Sequence, residues 1–297
     1  MPVFRFCSFI AAFAIALPSC RQPEHATQQR DTLRDDYGMS ITIGRPPQRI
    51  VSLNPATTEI LFAIGAGPRL VGRSQYDVFP DSAKYVPSVG AALRPNIESV
   101  LATHPDLVVM YASQDNRQAV DRFREAGIQT VSFKNDSIEQ FERDTRLLGR
   151  VTGDSARAFA LVDSVMATLA RVRAATANLP HPTVFIHAWD RPIIAIGGGS
   201  FLSQLLDIAG GRNIYADIPA PSAAVTLEDV VERNPDYVLA SPISAPKMRA
   251  SASWNAVPAI RAGKLLVYDT TLVGRPSVQL GAAAVSLAKL IHPGALR

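Results

Sequence analysis

The stretch "IESVLATHPDLVV", Ile97 to Val109, returns in altered form as "LEDVVERNPDYVL", Leu227 to Leu239. Aligned without a gap, the two agree at Glu98/Glu228, Val100/Val230, Pro105/Pro235, Asp106/Asp236 and Val108/Val238. Each reads as a short helix that proline stops and a strand follows. Asn96 and Thr226 can cap the helix, Pro105 and Pro235 block its continuation, and the apolar positions face a sheet. The same helix-turn-strand unit in both halves predicts two lobes of similar plan.

The sequence around each copy extends that plan. In the first half, strand patterns "RIVSL", "LVGRS", "DLVVM" and "IQTVSF" alternate with helix patterns "TTEILFAIGAG", "NIESVLATH", "NRQAVDRFREAG" and "SIEQFERDTRLLGRVTG". The helix at Thr57 to Gly67 is expected to open on Thr57 and close on glycine. After "LPHP" the alternation resumes with "TVFIHA", "IIAI", "FLSQLLDIAGG", "LEDVVERN", "DYVLA" and "KLLVYD", and a last helix is expected from Val278 to Ile291. Such alternation argues for an α/β fold in which each lobe is a mainly parallel sheet covered by helices. Between the halves, Phe159, Val162, Val165, Met166, Leu169 and Val172 recur at intervals of three and four, with no Gly or Pro from Asp154 to Asn178. One unbroken helix of about 37 Å follows. The expected organisation is an N-terminal lobe at 31–153, an interdomain helix at 154–178 and a C-terminal lobe at 179–297, with two short strands about an Asp-Tyr-Gly turn opening the first lobe.

Composition sets the class. With 47% apolar and 19% charged residues, the 297-residue chain can bury a substantial core. Its formal charge of +4 comes from scattered Lys and Arg, without the basic run of a nucleic-acid footprint. Arg5 precedes the apolar run "FCSFIAAFAIAL", which is short for a permanent span and suited to an export signal. Leu17-Pro18-Ser19-Cys20 resembles a bacterial lipobox, so residues 1–19 read as a lipoprotein signal peptide, Cys20 as the lipidation site and residues 20–30 as a tether. Cys7 would leave with the signal, which removes any thiol pair for a disulfide.

The blocks from "PPQRIVSLNPATTEILFAIGAG" through "IESVLATHPDLVVM", and then "GGGSFLSQLLDIAGGRNI", "TLEDVVERNPDYVLA" and "WNAVPAIRAGKLLVYD", resemble the periplasmic substrate-binding proteins of ABC importers for vitamin B12, iron-siderophores and haem. The resemblance implies two α/β lobes joined by one rigid helix, a monomer on the periplasmic face of a bacterial membrane, and a metal-chelate ligand held between the lobes for delivery to a permease dimer with its ATPase subunits. It carries permease docking onto Glu98 and Glu228. As residues alone, both glutamates also suit the first turn of a helix, where the dipole favours a carboxylate by about 0.3–1 kcal/mol.

Open parallel sheets bind ligands beyond the carboxyl ends of their strands. There Tyr76, Tyr111 and Trp189 offer aromatic faces to a macrocycle, and Arg275 can meet a carboxylate or phosphate. "SQYDVFP" and the earlier "SLNPATTEILFAIGA" look most like the cobalamin binders. However, the loops "GAALRP" and "PAPSAAV" lack the tryptophan often found there, which leaves another corrinoid, haem or a ferric siderophore open, with Arg94 as an anion contact in the last case. His187 with Asp190 is the sole pair suited to a metal ion, and His187 reads as a core or cleft-edge residue. "GGGS" (Gly197 to Ser200) can cradle an anion or make a tight strand-to-helix turn capped by Ser200. No catalytic residue, metal site or cofactor is expected; an envelope enzyme or a ligand sensor is the alternative of different class.

Overall fold

The computed structural model describes Met1 and residues 33–296. The expected signal peptide, Cys20 and the tether lie outside the described residues. Strands β1 (Leu33–Arg34) and β2 (Ser40–Ile41) pair antiparallel, as the Asp-Tyr-Gly turn predicts.

The first half is a four-stranded parallel sheet. Its strands β3 (Ile50–Leu53), β4 (Leu70–Arg73), β5 (Leu107–Tyr111) and β6 (Gln129–Phe133) lie in the order β4-β3-β5-β6. All four residues of β3 are buried, which is why the strand reads as an apolar run rather than an alternation. The covering helices are α1 (Pro55–Ala63), α2 (Ile97–Leu101), α3 (Arg117–Glu125) and α4 (Ile138–Thr152). The start of α1 departs from expectation. Pro55, with no N–H to lose, opens the helix, and Asn54 caps it by accepting from Ala56 N at 3.0 Å. Thr57 therefore lies inside the helix, buried, with its hydroxyl 3.0 Å from that of Ser52.

A tight corner leads from α4 into α5 (Ser155–Thr176). Gly153 takes the left-handed conformation at φ 79°, and a Cβ on Gly149 would meet that of Ala158 at 2.4 Å, so the two helices cross at contact distance. The 22 residues of α5 run unbroken, a little shorter than 154–178. Val162, Val165, Leu169 and Val172 are buried, each contributing about 1.5–3 kcal/mol of transfer free energy. Phe159 is not part of that stripe: it is 45% exposed, with the Arg146 guanidinium 4.6 Å from its ring centroid.

The second half is a mixed sheet. Strands β7 (Thr183–Asp190), β8 (Ile193–Ile196), β9 (Arg212–Asn213), β10 (Ser222–Ala224), β11 (Tyr237–Ala240) and β12 (Leu265–Val267) form the order β10-β8-β7-β11-β12, with β9 against β7. The pairs β7-β11, β11-β12 and β7-β9 are parallel, while β8 and β10 add an antiparallel edge. Around it lie α6 (Phe201–Ile208), α7 (Leu227–Arg233), α8 (Ser244–Ala250), α9 (Pro258–Arg261), α10 (Thr270–Val273) and α11 (Leu280–Ile291). One apolar core contains Val165, Leu169 and Val172 of α5 together with Phe141 and Leu148 of α4 and Leu280, Ala284 and Leu287 of α11. The connecting helix is thus packed on both halves. No helix among the described residues is long and apolar enough to cross a membrane.

The repeat is real in three dimensions. Asn96 accepts from Ser99 N and Thr226 from Asp229 N, and the residues just before the two prolines, His104 and Asn234, both take positive φ, at 48° and 44°. Asp106 then accepts from Gln48 N and Arg49 N at 2.7 and 2.9 Å. Asp236 accepts from Thr183 N and Oγ1 at 2.8 Å each. In each half the aspartate of the repeat fastens the start of the neighbouring strand.

Candidate ligand-binding site

A cavity of about 410 Å³ lies between the two halves, at the carboxyl ends of β3, β5 and β6 on one side and beside the β8-α6 turn and the segment after α10 on the other. Its floor is a chain of side-chain amides. Asn54, already the cap of α1, donates through Nδ2 to Asn135, whose own Nδ2 donates to Asp144 Oδ2 at 2.7 Å. Asp144 is fully buried, and burial pushes its carboxyl up to about 8 while Arg143, 2.6 Å away, pulls the other way. Tyr111 donates its hydroxyl to Asp136 at 2.9 Å. Burial first, and then that carboxylate, pushes the phenol up to about 12, so Tyr111 presents a fixed ring and a committed proton.

Both halves contribute to the walls and are tied there. Phe201 lines the cavity, and its backbone N–H donates to Asp136 O at 2.7 Å. Just behind, Gln204 accepts from Ile138 N and donates to Glu139, each at 2.9 Å. Arg275 also lines the cavity, but its Nε is bonded to Glu59 of α1. Glu59 is nearly inaccessible and accepts further from Ser277 Oγ at 2.5 Å and Gln279 Nε2 at 3.4 Å.

Of the four sequence-derived ligand contacts, the cavity brings together Tyr111 and Arg275. Tyr76, in the loop after β4, and Trp189, near the end of β7, stand 59% and 64% exposed and are not among its lining residues. Arg94 is also outside the lining and pairs with Asp115 at 2.9 Å. The glycines of "GGGS" make the tight turn. Their Cβ atoms would fall 2.1 to 2.3 Å from the carbonyl oxygens of Ala220, Ala216 and Pro219, and the amides of Gly197 and Gly198 donate to Pro221 O and Ile218 O. Ser200 caps α6 by accepting from Leu202 N, so the anion cradle is closed by backbone. His187 is a core residue, fully buried edge-on to Trp254, with Nε2 3.3 Å from Asp190 Oδ1 but not hydrogen-bonded to it, and desolvation lowers its pKa. Among the described residues no group of three His, Cys, Asp or Glu is placed to hold a metal.

Asn54, Asn135, Asp136, Phe201 and Glu59 escaped the sequence reading. Asn54 was legible, because an Asn-Pro pair directly after a buried strand marks both a cap and a carboxyl-terminal strand end. Asn135 and Asp136 follow β6 in the same way. Glu59 carried no signal, since it sits within a helix of the first half and its partners, Arg275, Ser277 and Gln279, come from the far end of the chain.

The model of the periplasmic binding protein family matches residues 50–272, most of the chain and all of the cavity lining except Gly274, Arg275 and Pro276. The chain belongs to that family. An uncharacterized ABC transporter substrate-binding lipoprotein of Bacillus subtilis is 28% identical over 94% of either chain. A cobalamin-binding protein of Halobacterium salinarum is 28% identical over 87% of this chain and 73% of its own length. The crystal structure of the periplasmic vitamin B12 binding protein of Vibrio cholerae matches the fold with a TM-score of 0.74 at 22% identity, covering 84% of this chain and 98% of that one. In this periplasmic binding protein, Glu98 and Glu228 are exposed at the second position of α2 and α7, the matched helices of the repeat.

Proposed function

We propose that this chain is the substrate-binding lipoprotein of an ABC import system, that it captures a metal chelate, foremost cobalamin or another corrinoid, and that it delivers the ligand to a permease dimer served by ATPase subunits. The observation that carries the reading is the cavity built jointly by both halves of a periplasmic binding protein, with Tyr111 from the first half and Phe201 from the second both among its lining residues. The similarity to a cobalamin-binding protein over most of the chain supports the choice of ligand. A bulky chelate seated between the halves would reach beyond these lining residues. The exposed rings of Tyr76 and Trp189 are then available to cover it, and Arg275 borders it.

In this reading residues 31–153 and 179–297 are the two lobes, Cys20 carries the acyl anchor to the periplasmic face of the membrane, and the receptor acts as a monomer without turnover of its ligand. Glu98 and Glu228 dock on the permease. Their exposure at matching points of a repeat suits a two-fold symmetric partner.

The deciding experiment is a visible-absorption titration of the mature protein with cyanocobalamin, haemin and a ferric hydroxamate. Saturable, stoichiometric binding of cyanocobalamin in preference to the others is expected. Preference for either iron chelate would transfer the reading to a haem or siderophore receptor, and chemical conversion of the ligand would place the protein among enzymes.

A further inference from the structure

The cavity has two charged side chains on its walls, Asp136 and Arg275, and they are not in the same situation. Asp136 forms no ion pair among the described residues; its carboxylate accepts from the Tyr111 hydroxyl. Arg275 is matched by Glu59, which is about 1% exposed, reaches it from α1 across the cleft, and is itself fixed by Ser277 and Gln279. The Arg275 side chain keeps 25% of its surface exposed, so it borders the ligand space as one half of a neutral pair. The net charge facing a ligand is therefore that of Asp136.

We propose that Glu59 is a specificity-determining residue: by occupying Arg275 it leaves the cleft acidic, favouring chelates that are neutral or cationic and disfavouring those that carry carboxylates. The proposal rests on the metal-chelate reading and adds a charge rule to it. Without the Glu59 carboxylate, the guanidinium would face a ligand with its positive charge unmatched, and arginine's planar fork binds carboxylates more strongly than other cations do. With Glu59 in place, a polycarboxylate entering the cleft meets a guanidinium whose charge is already matched by a buried partner that Ser277 and Gln279 hold in position, and it also meets the carboxylate of Asp136, which repels it. A neutral corrinoid meets neither obstacle. Glu59 touches the ligand only through Arg275, so it acts as a positioning residue for charge.

The test compares the wild type, Glu59→Gln, and the double variant Glu59→Gln/Arg275→Gln. Glutamine keeps the shape of Glu59 and an acceptor for Ser277, and circular dichroism with thermal melting verifies the fold. Each protein is titrated with cyanocobalamin, with haemin, which carries two carboxylates, and with citrate, a metal-free tricarboxylate followed by calorimetry. Glu59→Gln should gain about tenfold or more in affinity for haemin and citrate, leave cyanocobalamin unchanged, and lose the gain in the double variant. Equal weakening toward all three ligands, or no gain toward either carboxylate, would reduce Glu59 to a tie between the halves and overturn the proposal. If neither chelate binds any of the three proteins, the receptor reading fails by itself, and citrate still decides whether Glu59 holds Arg275 in check.

Discussion

Asp106 and Asp236 occupy one place in a repeated motif and do the same work, receiving donors at the start of β3 and β7. Donation from the Thr183 backbone first, and then from its hydroxyl, holds the Asp236 carboxyl below its ordinary value of 3.8. A carboxylate whose folded value is depressed stabilises the fold fully above its unfolded value, and that stability is lost as pH falls through the folded one. Asp236→Asn should thus cost about 1 kcal/mol at pH 7, a modest amount because the site is exposed. The gap between wild type and variant in urea midpoint should shrink as the pH is taken below 3.8. A gap unchanged down to pH 3 would mean that the bonds to Thr183 do not depend on charge. The sequence displayed both aspartates as identities of the repeat. What it did not display was their role, because the backbone each one holds, Gln48 and Arg49 just before β3 or Thr183 at the start of β7, lies distant along the chain.

At the scale of elements, α4 and α5 set the angle at which the chain leaves the first half. Ser137 and Gln140 form a reciprocal capping box at the start of α4, each satisfying a backbone N–H of the other. Ser137→Ala should cost about 1 kcal/mol, read as a lower melting temperature with the ligand affinity little changed. At the other end of α4, Gly149 lies against Ala158 with no room for a side chain. Gly149→Val would push α4 from α5 and should cost about 1–3 kcal/mol by overpacking, and because α4 also begins beside the cavity, ligand affinity should fall with stability. Retained affinity in a destabilised Gly149→Val protein would show that the corner and the cleft are independent. Helix α5 itself was legible from its apolar spacing, with Asp154–Asn178 expected and Ser155–Thr176 observed, whereas the exposure of Phe159 was not: three-and-four periodicity marks a face, and only packing decides how far along the helix that face is covered.

For the whole molecule, the two halves are joined by more than one helix. Among the described residues three ties span the cleft: Phe201 to Asp136, Gln204 to Ile138 and Glu139, and Glu59 to Arg275, Ser277 and Gln279. Large hinge opening would break all of them and expose the core shared by α4, α5 and α11. Ligand binding should accordingly leave the radius of gyration unresolved from that of the free protein in small-angle scattering; a clear contraction would require a hinge that α5 does not provide. Reversing the exposed glutamates of the two matched helices, Glu98→Lys together with Glu228→Lys, should abolish uptake in cells while leaving ligand affinity intact. Loss of affinity in that variant would remove the docking role.

Local periodicity, caps and breakers, each read within a single window, are enough to specify the alternation of strands and helices, the repeated helix-turn-strand unit and the continuous helix between its copies. The same alternation implies that carboxyl ends of strands border the cleft. Which of those ends converge is settled by long-range packing, which brings Tyr111 and Arg275 into one cavity and leaves Tyr76 and Trp189 on the surface. It alone decided that Arg275 arrives already paired with Glu59. Burial and charge pairing are properties of chain segments that meet after folding, and no spacing along the chain encodes the distance between a residue of α1 and one that follows α10.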